Sequence, residues 1–185
     1  MKKSIPVYLL LIFFLSGCAT WVQVGGNYET SSHNFKTELP EGWRRYNHDS
    51  SRVLITKDGL PLQWIAISRT PIDEKLAFTQ KKFSKQMLPQ EAAEVAIDNF
   101  RSNPQISNMQ IIENNPAVLG GYNGFKIVYR YQTGKGLTKT GVYYCSLVDE
   151  WCYKINYEAP ARYYYAKYLP ALEKIRESFK LLKEK

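Results

Sequence analysis

Residues 124–158 read GFKIVYRYQTGKGLTKTGVYYCSLVDEWCYKINYE, and the reading of this stretch decides the fold. Phe125, Ile127, Tyr129 and Tyr131 alternate with polar residues, as do Thr138, Thr140, Val142 and Tyr144, and then Trp151, Tyr153, Ile155 and Tyr157. A period of two belongs to strands, whose successive side chains point to opposite faces. Gly134-Lys135-Gly136 supplies one turn, and Leu147-Val148-Asp149-Glu150 supplies a second. Centring a hairpin on each turn sets one register. Thr140 then opposes Tyr129 and Tyr157, Val142 opposes Ile127 and Ile155, and Tyr144 opposes Phe125 and Tyr153. On the other face Lys139 opposes Glu158, Tyr143 lies over Lys154, and Cys145 faces Cys152. The expectation is a three-stranded antiparallel meander with one aromatic face, held by cross-strand pairs.

A helix should cover that face. Tyr168, Leu172, Ile175, Phe179 and Leu182 recur at helical spacing, with Glu173, Arg176, Glu177 and Lys180 outside the stripe. Pro170 suits the first turn of such a helix, where a missing N–H does no harm. Upstream, Pro89 to Asn103 reads as a second helix that buries Ala93, Ala96, Ile97 and Phe100 and turns Glu91, Glu94 and Asp98 to water. A short helix is expected between Asp73 and Met87, from Leu76, Gln80, Phe83 and Met87. Strands are expected at Phe35–Leu39, Arg52–Thr56 and Leu62–Ser68, with a turn at Pro40-Glu41-Gly42 before Trp43. Strands with one inserted and one terminal helix give an α+β domain over residues 34–185, its antiparallel sheet packed between helices.

The first 33 residues carry an address. Lys2 and Lys3 precede the apolar run Ile5–Leu15, whose 11 residues fall short of a membrane span. Ser16 and Gly17 are small, and Cys18 follows. Leu15-Ser16-Gly17-Cys18 resembles the lipobox of bacterial lipoproteins. That resemblance implies cleavage after residue 17, a diacylglyceryl group on the Cys18 sulfur, further acylation such as palmitate, and a stable membrane tether. Ala19 after the cysteine favours the outer membrane, facing the periplasm, in an organism with two membranes. Residues 18–33 read as the lipidated terminus and a tether. Trp21-Val22-Gln23-Val24 has strand composition and leaves two alternatives open, docking on the domain or Trp21 at the headgroup level.

The segment Phe35–Trp43 ends Leu39-Pro40-Glu41-Gly42-Trp43, and the strand Gly121–Tyr131, the hairpin after it and Glu177-Ser178-Phe179-Lys180 follow. These resemble the corresponding parts of PsbP-like proteins over residues 34–182. The resemblance implies an antiparallel sheet between helices. The family includes photosynthetic accessory proteins and bacterial envelope lipoproteins. No residue matches a specific metal-ligand pattern, and fold likeness alone does not assign a function.

The formal charge of +8 over 185 residues includes Lys2 and Lys3, so the mature chain is only modestly basic. An envelope address makes nucleic acid an unsuitable partner. An acidic protein, cell-wall polymer or anionic lipid fits better. His33 and His48 read as exposed loop residues, and no hydrolase, metalloprotease or phosphate-loop motif occurs. No catalytic residue or cofactor is expected. Lipidation of Cys18 would leave Cys145 and Cys152 as a structural disulfide. Two clusters could recognise a partner: Trp43-Arg44-Arg45-Tyr46, as protruding side chains for sugar or an acidic surface, and Arg162–Tyr168. The expectation is therefore a membrane-anchored accessory or scaffold lipoprotein that is not an enzyme and acts through an envelope protein partner. A ligand-binding module for cell-wall glycan or anionic lipid is the alternative.

Overall fold

The computed structural model describes residues 20–182. The signal segment, the lipobox and Cys18 lie outside the described residues. In chain order the elements are β1 (Trp21–Thr30), β2 (Phe35–Tyr46), β3 (Val53–Thr56), β4 (Trp64–Pro71), α1 (Pro89–Arg101), β5 (Ile106–Leu119), β6 (Tyr122–Thr133), β7 (Thr138–Val148), β8 (Trp151–Pro160), α2 (Tyr164–Ser178) and β9 (Lys180–Leu181). The strands form one antiparallel sheet in the order β1-β2-β3-β4-β8-β7-β6-β5, with β9 beside β2. Helix α1 packs on one face against β5 and β6, and α2 packs on the other against β8, β7 and β2. The class is α+β, a sheet between two helices. Among the described residues, no helix is long and apolar enough to cross a membrane.

The meander is present as β6, β7 and β8, but both registers differ from the sequence reading. Between β6 and β7, Tyr129 opposes Gly141, not Thr140. The loop has three residues, Gly134 to Gly136, closed by Thr133 N–H donating to Leu137 O at 3.0 Å. Gly136 there takes φ +77°, a left-handed conformation that suits glycine. A slip of one residue turns every side chain of a strand to the other face. Phe125, Ile127, Tyr129 and Tyr131 therefore lie on the α1 side with Tyr143 and Cys145, while Val128 joins Val142 and Tyr144 beneath α2. The alternation did not discriminate because the strand is covered on both faces: Thr140 to Ser146 of β7 are all buried. Between β7 and β8 the turn is Asp149-Glu150, two residues where four were expected, so Val148 pairs with Trp151. That moves the register by two and keeps the faces. Val142 opposes Tyr157, and Cys145 opposes Lys154, not Cys152.

Four local expectations also change. Residues 21–30 are not a tether: β1 pairs with β2 along its length, so this segment docks on the domain and moves the domain boundary to about residue 20. Pro40-Glu41-Gly42 is not a chain reversal but a bulge in β2, where Gly25 alone separates the pairs Val24–Trp43 and Gly26–Leu39. Residues 73–87 form an irregular loop, from which Phe83 is buried against α1. Helix α2 begins at Tyr164, so Pro170 falls inside it, and it ends before Leu182.

Helix α1 buries the expected Ala93, Ala96 and Ile97, while Phe100 is half-buried and Ala92 joins the buried face. Glu91 accepts the Leu88 N–H at 2.8 Å, satisfying a free donor of the first turn. Helix α2 presents fully buried Leu172 and Ile175 to the larger core. Its end is latched to β2, where Thr37 Oγ1 donates to Ile175 O at 2.9 Å and the Glu38 N–H donates to Ser178 Oγ at 2.9 Å.

Candidate binding surface

The two sequence clusters meet in space, although not as an open site. Trp43 is only 3% exposed, and its ring meets Tyr168 edge-on at 5.4 Å. It shares the inner face of β2 with Phe35 and Leu39, so the protruding tryptophan expected for sugar stacking is core instead. Arg44 is exposed. Arg45 donates to Asn47 Oδ1 at 3.0 Å and lies 5.8 Å from the Tyr28 ring centre. Tyr46 packs on Trp21 at 5.2 Å and on exposed His48 at 5.8 Å. The four residues thus point three ways: inward, to water, and onto β1.

At the start of α2, the Tyr157 hydroxyl lies 2.8 and 2.9 Å from the carbonyls of Tyr164 and Tyr165, fixing the first turn to β8. The Lys167 ammonium sits 4.8, 5.2 and 5.7 Å from the ring centres of Tyr168, Tyr163 and Tyr164, and 3.6 Å from Asp58. Tyr168 also donates to Asp58. The Tyr168 hydroxyl first, then the Tyr163 hydroxyl and the Asp58 charge, raise the pKa of the Lys167 ammonium above its ordinary range. This aromatic pocket already contains a cation from its own chain. It is therefore not a vacant cage for a foreign one.

A partly buried polar cluster occupies the α1 face. Tyr129 donates to Glu158 Oε1 at 2.8 Å and lies 3.0 Å from Asn156 Oδ1, and Tyr131 donates to Glu158 Oε2 at 2.7 Å. Tyr129, Gly141 and Glu158 are directly opposite on three adjacent strands. A Cβ at position 141 would overlap the Tyr129 ring, so glycine is what lets the phenol cross β7. Burial raises the Glu158 carboxyl above its ordinary range, while the two tyrosine hydroxyls pull it back. Burial and this carboxylate push both phenols up in turn. Both carboxylate oxygens accept a hydrogen bond, so the cluster reads as a structural lock across the strands. Sequence reasoning missed it because it placed Tyr129 on the other face, and the available signal was the lone glycine between two aromatic strands. Among the described residues, no group of three or more His, Cys, Asp or Glu could hold a metal ion.

Cys145 and Cys152 are buried free thiols on the same face, diagonal across the hairpin, with sulfurs 3.0 Å apart. Burial pushes the Cys145 thiol above its ordinary range. His33 is not the exposed loop residue expected. It is 8% exposed and stacks near Phe35 at 6.3 Å, and burial followed by the Arg69 charge lowers its pKa.

The surface offers grooves more than pockets. One, of 550 Å3, runs between β1, β2 and the end of α2, and its charges are mixed: Glu29, Glu38 and Glu177 against Lys36 and Lys180. A smaller one of 400 Å3 lies between the start of α1 and the β5–β6 hairpin, lined by Pro89, Gln90, Pro116, Ala117, Val118 and Asn123 among others. In its lining Val118 is 51% exposed, and Leu88 beside Pro89 is 62% exposed. Strand β5, not foreseen because Asn114-Asn115-Pro116 interrupts its pattern, is a sheet edge, where proline is tolerated.

No family model and no curated protein sequence matches the chain. Solved structures do. The solution structure of cyanobacterial PsbP (CyanoP) from Synechocystis aligns with a TM-score of 0.58 at 12% identity, covering 90% of this chain and 95% of that one. The Ran-binding protein Mog1p of Saccharomyces cerevisiae gives 0.60 at 9% identity, covering 88 and 97%. A Pseudomonas aeruginosa protein of unknown function gives 0.52 at 14%, covering 86 and 96%. At these identities the likeness shows the fold, which is PsbP/Mog1-like.

Proposed function

We propose that this chain is an envelope lipoprotein, held on a membrane by acyl chains on Cys18, whose domain serves as an accessory or scaffold by binding another envelope protein. The anchor is supported by the ordered run of basic start, short apolar core, small residues and cysteine in residues 2–18. With Ala19 next, the outer membrane facing the periplasm is its place in a two-membrane organism. The contact is carried by one observation, the groove between the start of α1 and edge strand β5, where Val118 in the lining and Leu88 beside Pro89 are exposed. Exposed apolar side chains gathered beside a groove suit a protein surface, and an edge strand adds unpaired backbone donors and acceptors. A glycan or anionic-lipid ligand seated in the groove between β1, β2 and α2 has less support, because Glu29, Glu38 and Glu177 line it against Lys36 and Lys180. In this compartment Cys145 and Cys152 would be joined as a disulfide.

The test is a photo-crosslinking residue in place of Val118 in growing cells. One discrete protein adduct, lost on Leu88→Glu, is the expected result. No adduct, or the same adducts from a crosslinker at exposed Lys135, would contradict the reading.

A further inference from the structure

We infer that the domain rests on its membrane by the corner of the β1–β2 ribbon where Trp21 packs on Tyr46, and that lipid headgroups are the partner of this corner. The inference deepens the reading above and rests on its lipid anchor at Cys18. The domain begins almost at the anchor. The carbonyl of Thr20 accepts the Asn47 N–H at 3.0 Å, and Trp21 is paired with Tyr46 in the sheet. Three peptide units join Cys18 to Trp21, and an extended chain spans at most about 3.6 Å per residue, so the reach is roughly 11 Å. The polar layer on each side of a bilayer is about 5–8 Å thick. A lipid held at Cys18 therefore brings Trp21 into that layer or just above it. The long tether suggested by residues 18–33 is not there to lift the domain away.

The side chains at this corner suit the layer they would meet. The Trp21 and Tyr46 rings pack at 5.2 Å with both side chains partly exposed, and tryptophan and tyrosine are the residues that settle at headgroup depth. Val22 beside them is 38% exposed. The arginines of this corner are Arg44, Arg45 and Arg52, of which Arg52 pairs with Asp49 at 2.6 Å, while Glu41 lies farther along the ribbon against Gly25. His48 stands beside Tyr46. An excess of guanidinium groups favours anionic phosphate headgroups. Strand β1 and strand β5 terminate opposite ends of the sheet order. One edge then meets the membrane, and the other borders the groove assigned to a protein.

The experiment uses full-length protein processed in cells, purified, and reconstituted in vesicles of phosphatidylethanolamine and phosphatidylglycerol that contain a headgroup-nitroxide lipid. A fluorescent amino acid replaces Val22 in one sample and Lys135, at the tip of the β6–β7 hairpin, in another. Intact mass reports lipidation, and flotation reports binding. With both confirmed, quenching several-fold stronger at position 22 than at position 135 is expected. Equal quenching at the two positions, in lipidated and floating protein, would overturn the inference and leave the anchor standing. Protein that carries no lipid and does not float would overturn both.

Discussion

Helices α1 and α2 cover opposite faces of one sheet, and the two interfaces are built from different chemistry. Under α2 lie Ile55, Ile65, Ile67, Val142 and Ile155, fully or almost fully buried with Leu172 and Ile175. Under α1 lie four tyrosines or phenylalanines of β6 and β7, two thiols, and the hydroxyl–carboxylate lock at Glu158. The first face is chiefly aliphatic at its centre, and its hydrogen bonds gather at the two ends and outer edge of α2. The second must satisfy each polar group it buries, which fixes side chains one by one. Stability should therefore concentrate on the α2 face, and sensitivity to pH and redox state on the α1 face.

The largest effect should come from α2. Leu172→Ala or Ile175→Ala removes a fully buried side chain and should cost about 2–5 kcal/mol in urea unfolding. Loss of less than about 1 kcal/mol would show that α2 is not packed as described. Glu173, which the helical stripe assigned to water, is not a neutral control. It accepts the Tyr144 hydroxyl at 2.8 Å and pairs with Arg176 at 3.0 Å.

On the other face, a bridge between Cys145 and Cys152 closes a short loop and should stabilise the protein by about 2.5 kcal/mol on chain entropy, less any strain. Thiol titration of unfolded, unreduced mature protein should then find no reactive thiol, whereas two would refute the bridge. Tyr129→Phe takes one donor from half-buried Glu158 and should cost about 0.5–1.5 kcal/mol. A neutral result by chemical denaturation would mean the lock is not formed.

The pH dependence follows from the raised carboxyl of Glu158, whose ordinary value is 4.5. The folded state then holds this proton more tightly than the unfolded chain. Its stabilising contribution is complete below the ordinary value and is lost as pH rises through the folded one. Glu158→Gln should thus gain relative to wild type as pH is raised from about 4 to 7. A difference that stays constant over that range would contradict the assignment. The smallest effect belongs to the surface: Tyr122→Ser, at a site 46% exposed, should change stability by less than about 0.5 kcal/mol.

The same contrast explains what could be read from residues alone. The existence of β6, β7 and β8 is legible in their alternation, and the helices in the spacing of Ala93, Ala96 and Ile97 and of Leu172, Ile175 and Phe179. Register is not, because central strands under two helices bury both rows and no polar row marks an outside. The Glu158 lock depended on that register and was lost with it. Trp43 beside two arginines looked like a surface cluster, since period two allows either face and only packing against Tyr168 decides it. Strand β1 was undecided because two glycines and a Thr-Ser-Ser run resemble a linker as much as a bulged edge strand.

The central claim is that this domain is tied to a membrane at Cys18, a few residues before its first strand. Mass spectrometry of the mature N-terminus tests it directly. The account predicts a chain that begins at Cys18 and carries a thioether-linked diacylglyceryl group. A chain that still starts at Met1, or one that begins with an unmodified cysteine, would contradict it.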